Sequence, residues 1–162
     1  MRFTVEQRFA AAPDDVARAF ADPELYAAFH ALPKMSRPDV LAHDVQGDLV
    51  HLQIRYRFTG DLSSAARAVL DPARLTWVEH ATHDLAAHTT TFRMVADHYA
   101  DRFRCEGSYR FEPADPGTLR RCDGEIRVKA PLVAGAVERA IVSGLREHLA
   151  DEVVVVEGYL RG

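Results

Sequence analysis

The sequence predicts an α+β fold in which a curved antiparallel sheet of about six to seven strands wraps around one long C-terminal helix. Three observations predict it. Period-two alternation fills most of the chain, two short helix signals follow the first strand, and one helical stripe of apolar residues closes the chain from about Pro131 to Leu160.

Phe3, Val5, Gln7 and Phe9 alternate with Thr4, Glu6 and Arg8, so the first strand buries one face. Pro13 opens a short helix with Asp14 and Asp15 in its first turn, where a missing N–H costs nothing and negative charge is favoured. Asp22 is placed to cap a second helix with Pro23 at its first position, carrying Leu25, Phe29 and Leu32. Strands resume over Val40–Gln46 and Leu49–Phe58, joined by a turn at Gly47 and Asp48. On the second of these, Val50, Leu52, Ile54, Tyr56 and Phe58 share a face, and His51, Gln53, Arg55 and Arg57 share the other. Gly60 ends that strand, and Asp61 is placed to cap a helix over Leu62–Leu70, read either as a lid over a pocket mouth or as an inert cap on the core. Four strands follow, over Leu75–His83, His88–Ala96, Arg102–Pro113 and Thr118–Lys129, with connections short enough for antiparallel hairpins. The closing helix carries Val133, Val137, Ile141, Leu145, Leu149, Val153, Val156 and Leu160 on one stripe, along about eight turns. Glu138, Arg139, Arg146, Glu147 and Asp151 fall away from it. A helix this long needs a partner surface for its stripe, and the strands supply one.

The chain has 162 residues, 48% hydrophobic and 27% charged, which suits one folded domain over residues 1–162. A net charge of -4 argues against nucleic-acid binding, which needs a clustered basic face. No apolar stretch approaches the ~20 residues of a membrane span, and the opening MRFTVEQRF lacks an apolar signal-peptide core. Two cysteines, Cys105 and Cys122, give no disulfide framework, so a reduced, cytoplasmic protein is expected, as monomer or homodimer. Both have inward parity on neighbouring strands and read as small apolar fillers.

The local runs that carry a family likeness are the short helix before Leu75, Thr76, Trp77, Val78 and Glu79, the run Gly107, Ser108, Tyr109, Arg110 and Phe111, and Ala130, Pro131, Leu132 and Val133 leading to Val137 and Glu138. With the element order, they make the whole chain resemble the helix-grip fold of the START and birch-pollen-allergen-like (SRPBCC) superfamily. Within it, the chain is most similar to a bacterial family of unknown function. The resemblance implies a cavity for lipids, sterols, polyketides or other apolar ligands. Some members of that superfamily are cyclases, and others carry ligands or bind proteins, so fold alone selects no function.

By strand parity the concave face carries Leu52, Ile54, Tyr56, Trp77, Glu79, Phe92, Phe103 and Tyr109. Phe29 and Leu32 are placed to close one end, and Val137 and Ile141 to form the roof. These are the candidate ligand-binding residues, although each taken singly is more simply a core filler. Glu79 shares parity with Leu75 and Trp77 and is expected to point inward, where an unpaired carboxyl is costly and its pKa rises. There it would serve as acid or base, or orient a ligand hydroxyl. The competing reading, a solvated strand end or an ion pair with an arginine, is the one the sequence alone favours. His80 and His83 lie an odd number of residues apart and face opposite sides, and no metal-binding spacing occurs, so neither metal nor cofactor is expected. Three functions follow, in order: carriage of a small apolar molecule; a cyclase or dehydratase using Glu79 with Tyr56 or Tyr109; and an adaptor with a vestigial cavity.

Overall fold

The computed structural model describes residues 1–162, the Ala31 side chain excepted. Seven strands form one antiparallel sheet: β1 (Arg2–Phe9), β2 (Asp39–Gln46), β3 (Leu49–Arg57), β4 (Thr76–Asp84), β5 (Thr89–Ala96), β6 (Phe103–Pro113) and β7 (Thr118–Val128). Their order across the sheet is β1-β7-β6-β5-β4-β3-β2, so the hairpins run in sequence and β1 closes against the last strand. Helices α1 (Pro13–Phe20) and α2 (Pro23–Ala28) follow β1, and a 3₁₀ turn over Phe29–Ala31 extends α2. The single turn α3 (Ser64–Arg67) lies between β3 and β4, and α4 (Ala134–Arg161) closes the chain. Among the described residues no helix is long and apolar enough to cross a membrane.

The local signals act as expected at most boundaries. Asp22 accepts a hydrogen bond from the Glu24 amide at the start of α2 (3.0 Å). Phe3, Gln7 and Phe9 are buried and Val5 is half-buried, so the alternation of β1 holds. Two boundaries move. The expected helix over Leu62–Leu70 shrinks to one turn, capped by Ser63 rather than Asp61. Ser63 lies next to the turn it caps and reaches the Ala66 amide, whereas Asp61 stays exposed. The closing helix starts at Ala134, not Pro131. Leu132 adopts φ 67, a left-handed conformation no α-helix accommodates, and stands fully exposed.

Helix α4 does not lie across the middle of the sheet. It packs against β1 and β7 on one flank and against α1 and α2. The expected stripe is therefore buried unevenly. Val137, Leu149 and Val156 are buried, and Val142 joins them, whereas Ile141, Leu145, Val153 and Leu160 are only half-buried. The strands away from that flank, β3 to β5, present their inner faces to α4 from further off.

Two glycines let aromatic rings lie against the sheet. Gly107 and Gly124 are paired between β6 and β7. A Cβ on Gly124 would meet the Phe3 ring at 2.5 Å, and one on Gly107 would meet the Asp123 carbonyl and, at 3.0 Å, the Phe92 ring. Phe3 and Phe92 thus fill space that side chains from these strands would otherwise take. We predict that Gly124→Ala, which forces Phe3 out of its place, lowers stability by about 1–3 kcal/mol in a denaturant titration. An unchanged midpoint would show that Phe3 has room to move.

Candidate ligand-binding site

The register aligns the inner face in rows. One row holds Ile54, Glu79, Met94, Cys105 and Ile126, and the adjacent one sets Tyr56 beside Trp77. Of the residues expected on the concave face, Leu52, Ile54, Tyr56, Phe92 and Tyr109 are buried, while Trp77, Glu79 and Phe103 are half-buried. Phe29 and Leu32 are buried beside them, Val137 is buried on α4, and Ile141 is half-buried. Tyr56 and Trp77 stack, with ring centroids 5.8 Å apart and planes 19° apart.

Glu79 points inward, contrary to the solvated or arginine-paired reading that the sequence favours. Its partners across the ladders are Ile54 and Met94, both on the inner face. The carboxyl is enclosed by protein, and the residue as a whole is half-buried. It makes no hydrogen bond and no ion pair among the described residues. Burial, reinforced by the negative charge of Glu152 and opposed by Arg120, pushes its pKa up to about 7. Two donors beside it are also open. The Trp77 Nε1 atom is buried without a partner, as are the His83 Nε2 and the Arg120 Nε elsewhere in the interior, and the Tyr56 hydroxyl makes no side-chain hydrogen bond among the described residues. Native interiors rarely leave such groups unpaired. Tyr56 sits one strand over and two residues along from Ile54, which faces Glu79, and so is its diagonal neighbour. Tyr109 stands two strands away and four residues further along.

A second polar group, at the other end of the interior, is tied together by hydrogen bonds, with the buried Arg120 Nε left without a partner. Arg120 Nη1 donates to Gln7 Oε1 (2.6 Å) and to Glu152 Oε2 (3.1 Å). Gln7 Nε2 in turn donates to Glu152 Oε2 (3.0 Å) and to the Leu149 carbonyl (2.6 Å). The Arg120 guanidinium lies between the Phe20 and Tyr109 rings, 3.6 Å and 3.7 Å from their centroids. The sequence reading passed over Arg120 and Glu152, although both carry a signal. Arg120 shares parity with Cys122 and Ile126, and Glu152 falls three residues after Leu149 on the apolar stripe.

The remaining buried groups are held neutral. Burial pushes the Cys105 and Cys122 thiols up to about 12 and about 11, and both are free. It raises Tyr26, Tyr56 and Tyr109 well above the ordinary phenol range. His83, whose Nδ1 meets the Thr90 hydroxyl at 2.8 Å, falls to about 4, chiefly by burial and then by the charge of Arg120.

Among the recesses of the surface, two lie on the sheet. One of about 160 Å³, lined by Arg104, Glu106, Glu125 and Arg127, lies among outward-facing charges. The other, of about 220 Å³, opens where β5 and β6 part beyond the Met94–Cys105 pair, and Met94, Phe103 and Cys105 are among its walls. Neither is lined by Glu79, Tyr56 or Trp77, but Met94 is the direct cross-strand partner of Glu79.

Two stability predictions follow from this contrast. The Glu79 carboxyl holds its proton in the folded chain up to about pH 7, whereas the ordinary value is 4.5. Between these values the unfolded chain binds fewer protons, so stability is fullest below pH 4.5 and falls as pH rises to about 7. The loss amounts to about 3 kcal/mol at most. Glu79→Gln is expected to remove that decline, gaining on the wild type at pH 8 but not at pH 4. Parallel pH profiles for the two proteins would contradict it. Glu152→Ala strands the buried Arg120 charge and is expected to cost about 3–5 kcal/mol. Adding Arg120→Met should recover part of that loss in a double-mutant cycle, and strict additivity would show the pair uncoupled.

Solved structures similar to this chain share its fold. A protein of Thermus thermophilus superposes with a TM-score of 0.71 at 17% identity, over 99% of this chain and 97% of that one. The ZhuI aromatase/cyclase of a Streptomyces species gives 0.67 at 15% identity, over 99% and 93%. Norcoclaurine synthase of Thalictrum flavum gives 0.59 at 18% identity, over 100% and 87%. No curated protein matches the chain in sequence. The architecture is the helix-grip fold that these structures share. Residues 4–160 match the family described as "Protein of unknown function (DUF2505)", and the chain belongs to that family.

Proposed function

We propose that the protein binds a small apolar molecule between the concave face of the sheet and α4, with Glu79, Tyr56 and Trp77 holding its polar end. The observation that carries this reading is the open hydrogen-bonding capacity at that place. A carboxyl and a phenol that make no side-chain hydrogen bond among the described residues occupy neighbouring register positions with an indole N–H that is buried without a partner. A core built only for stability would replace them with apolar side chains, because each unpaired buried group costs about 1–3 kcal/mol. A ligand that satisfies them removes the cost. The apolar surroundings, Leu52, Ile54, Phe92, Phe103, Phe29, Leu32, Val137 and Ile141, suit its body. The superfamily setting supports the same reading, since similar folds include an aromatase/cyclase and norcoclaurine synthase.

A second reading has one specific observation in its favour. A carboxyl with a pKa of about 7 is matched to proton transfer at neutral pH. Glu79 would then act as acid and base on a bound substrate, and Tyr56, its diagonal neighbour, would hold the substrate oxygen. Tyr109 is the weaker partner, because its ring lies against Arg120 and the register sets it further off.

Trp77 is the chain's single tryptophan, so its emission reports on the site directly. Titration with the neutral probe phenylnaphthylamine is expected to quench Trp77 saturably at about one probe per chain. Ile141→Phe, which adds bulk to the roof, is expected to weaken that binding about tenfold. Unsaturable quenching, or binding indifferent to Ile141→Phe, would overturn the assignment. Entry requires motion, and the α3 segment is the lid candidate. Amide exchange over residues 62–70 is expected to be faster than in β3 and β4 and to slow on binding. Exchange slower than in those strands would reject the lid.

A further inference from the structure

We infer that the molecule held beside Glu79 carries one positive charge, as a protonated amine on an apolar body; the inference rests on reading this interior as a binding site.

The charges inside the protein do not balance. Arg120 and Glu152 are the buried charged residues, and they bind each other. Glu79 is a third ionisable group, enclosed and without a counter-charge. Arg120 is held away from it. Its Nη1 donates to Gln7 and Glu152, its guanidinium lies against the Phe20 and Tyr109 rings, and its Nε has no partner. By register Arg120 is also three strands across and six residues along from Glu79. No other side-chain cation is buried in the described interior. His83, on the same face of β4, is held neutral by burial. The missing positive charge must therefore come from outside the chain if Glu79 is to be ionised.

The surroundings suit a cation. The Trp77 and Tyr56 rings stand stacked beside the carboxyl, and ring faces attract an ammonium group. An ammonium also offers several donors, which a carboxylate without a side-chain partner can accept. The other groups that sense Glu79 are Tyr26 from α2, Tyr56 from β3, Tyr109 and Cys105 from β6, Cys122 and Arg120 from β7, and Glu152 from α4. The tyrosines and the two thiols stay protonated well above neutrality, so they add no charge. Glu152 adds to the negative potential, which favours a cation further.

A neutral ligand makes the opposite demand. A hydroxyl or carbonyl oxygen is served best by a protonated Glu79, which then donates to it. The sign of the pH dependence therefore separates the two ligand classes.

The test uses the wild-type chain of 162 residues and a matched pair of probes, phenylbutylamine and phenylbutanol, read by Trp77 emission from about pH 5 to pH 9. The amine is expected to bind at least tenfold more tightly than the alcohol at pH 8. Its affinity should fall as pH drops below about 7, approaching tenfold per unit. In Glu79→Gln the ratio of amine to alcohol affinity should collapse to about one, and the pH dependence should vanish. The wild-type pH profile stands whether or not that variant folds well. Equal affinities for the two probes, or amine affinity that rises as pH falls, would overturn the inference while leaving the binding site in place. Silence from both probes and from phenylnaphthylamine would overturn the site itself.

Discussion

The position of α4 on one flank of the sheet is the constraint from which the rest of the interior follows. Three contacts fix it. Val137, Val142, Leu149 and Val156 bury their side chains on it, the Gln7–Arg120–Glu152 cluster ties β1 and β7 to it, and the Tyr159 hydroxyl donates to Asp22 at the start of α2 (2.7 Å). Hydrophobic burial alone is non-directional and would let the helix slide or rotate. The buried ionic cluster is directional. Leaving register strands the Arg120 charge in a dry interior, a penalty of several kcal/mol. The cluster therefore acts as a peg that sets which face of α4 looks toward β3, β4 and β5.

With the helix pegged to β1 and β7, the far side of the sheet is lined from a distance. There the polar groups are left open. The contrast is internal to one protein: Gln7, Arg120 and Glu152 hydrogen-bond one another on the flank that α4 covers, although the Arg120 Nε is left over, while Glu79, Tyr56 and Trp77 make no side-chain hydrogen bond on the side it does not. Both sets are polar groups in the same apolar shell, and pairing offsets the solvation cost mainly in the first.

Much of this was legible in the sequence, because the side-chain period of a strand ties each residue to a face. Glu79, Tyr56, Trp77 and Tyr109 could be placed on the concave side from parity with Leu52, Ile54 and Cys105. The element order gave the fold. Two kinds of information were not legible in the same way. Arg120 had inward parity, but an arginine on a strand is by default an outward one, and only three-dimensional proximity to Glu152 on a distant helix gives it a reason to turn in. Local backbone chemistry set the other differences. The left-handed Leu132 delays α4 by three residues, and Ser63 captures the Ala66 amide ahead of Asp61. Such outcomes depend on which of several adjacent capping groups first reaches a free amide, a contest that composition does not decide.

An unpaired carboxyl that weakens the fold at neutral pH persists only where something offsets it. Structural offsets are visible elsewhere in the molecule. Glu138 accepts the Val128 amide (2.9 Å), and on the outer face Arg104 and Arg127 pair with Glu106 and Glu125. Glu79 has nothing comparable, and its nearest neighbours by register, Ile54 and Met94, offer no donor. Substitution by glutamine or leucine would relieve the charge without altering the strand. On the proposed reading, the carboxyl is an expense borne by the folded chain for the sake of a bound state, and its charge, more than the shape of the surrounding apolar walls, would be the feature by which this interior tells one small molecule from another. Apolar walls discriminate weakly, by about 1–3 kcal/mol per methylene, whereas a site with a fixed polar demand rejects a ligand that cannot meet it far more strongly.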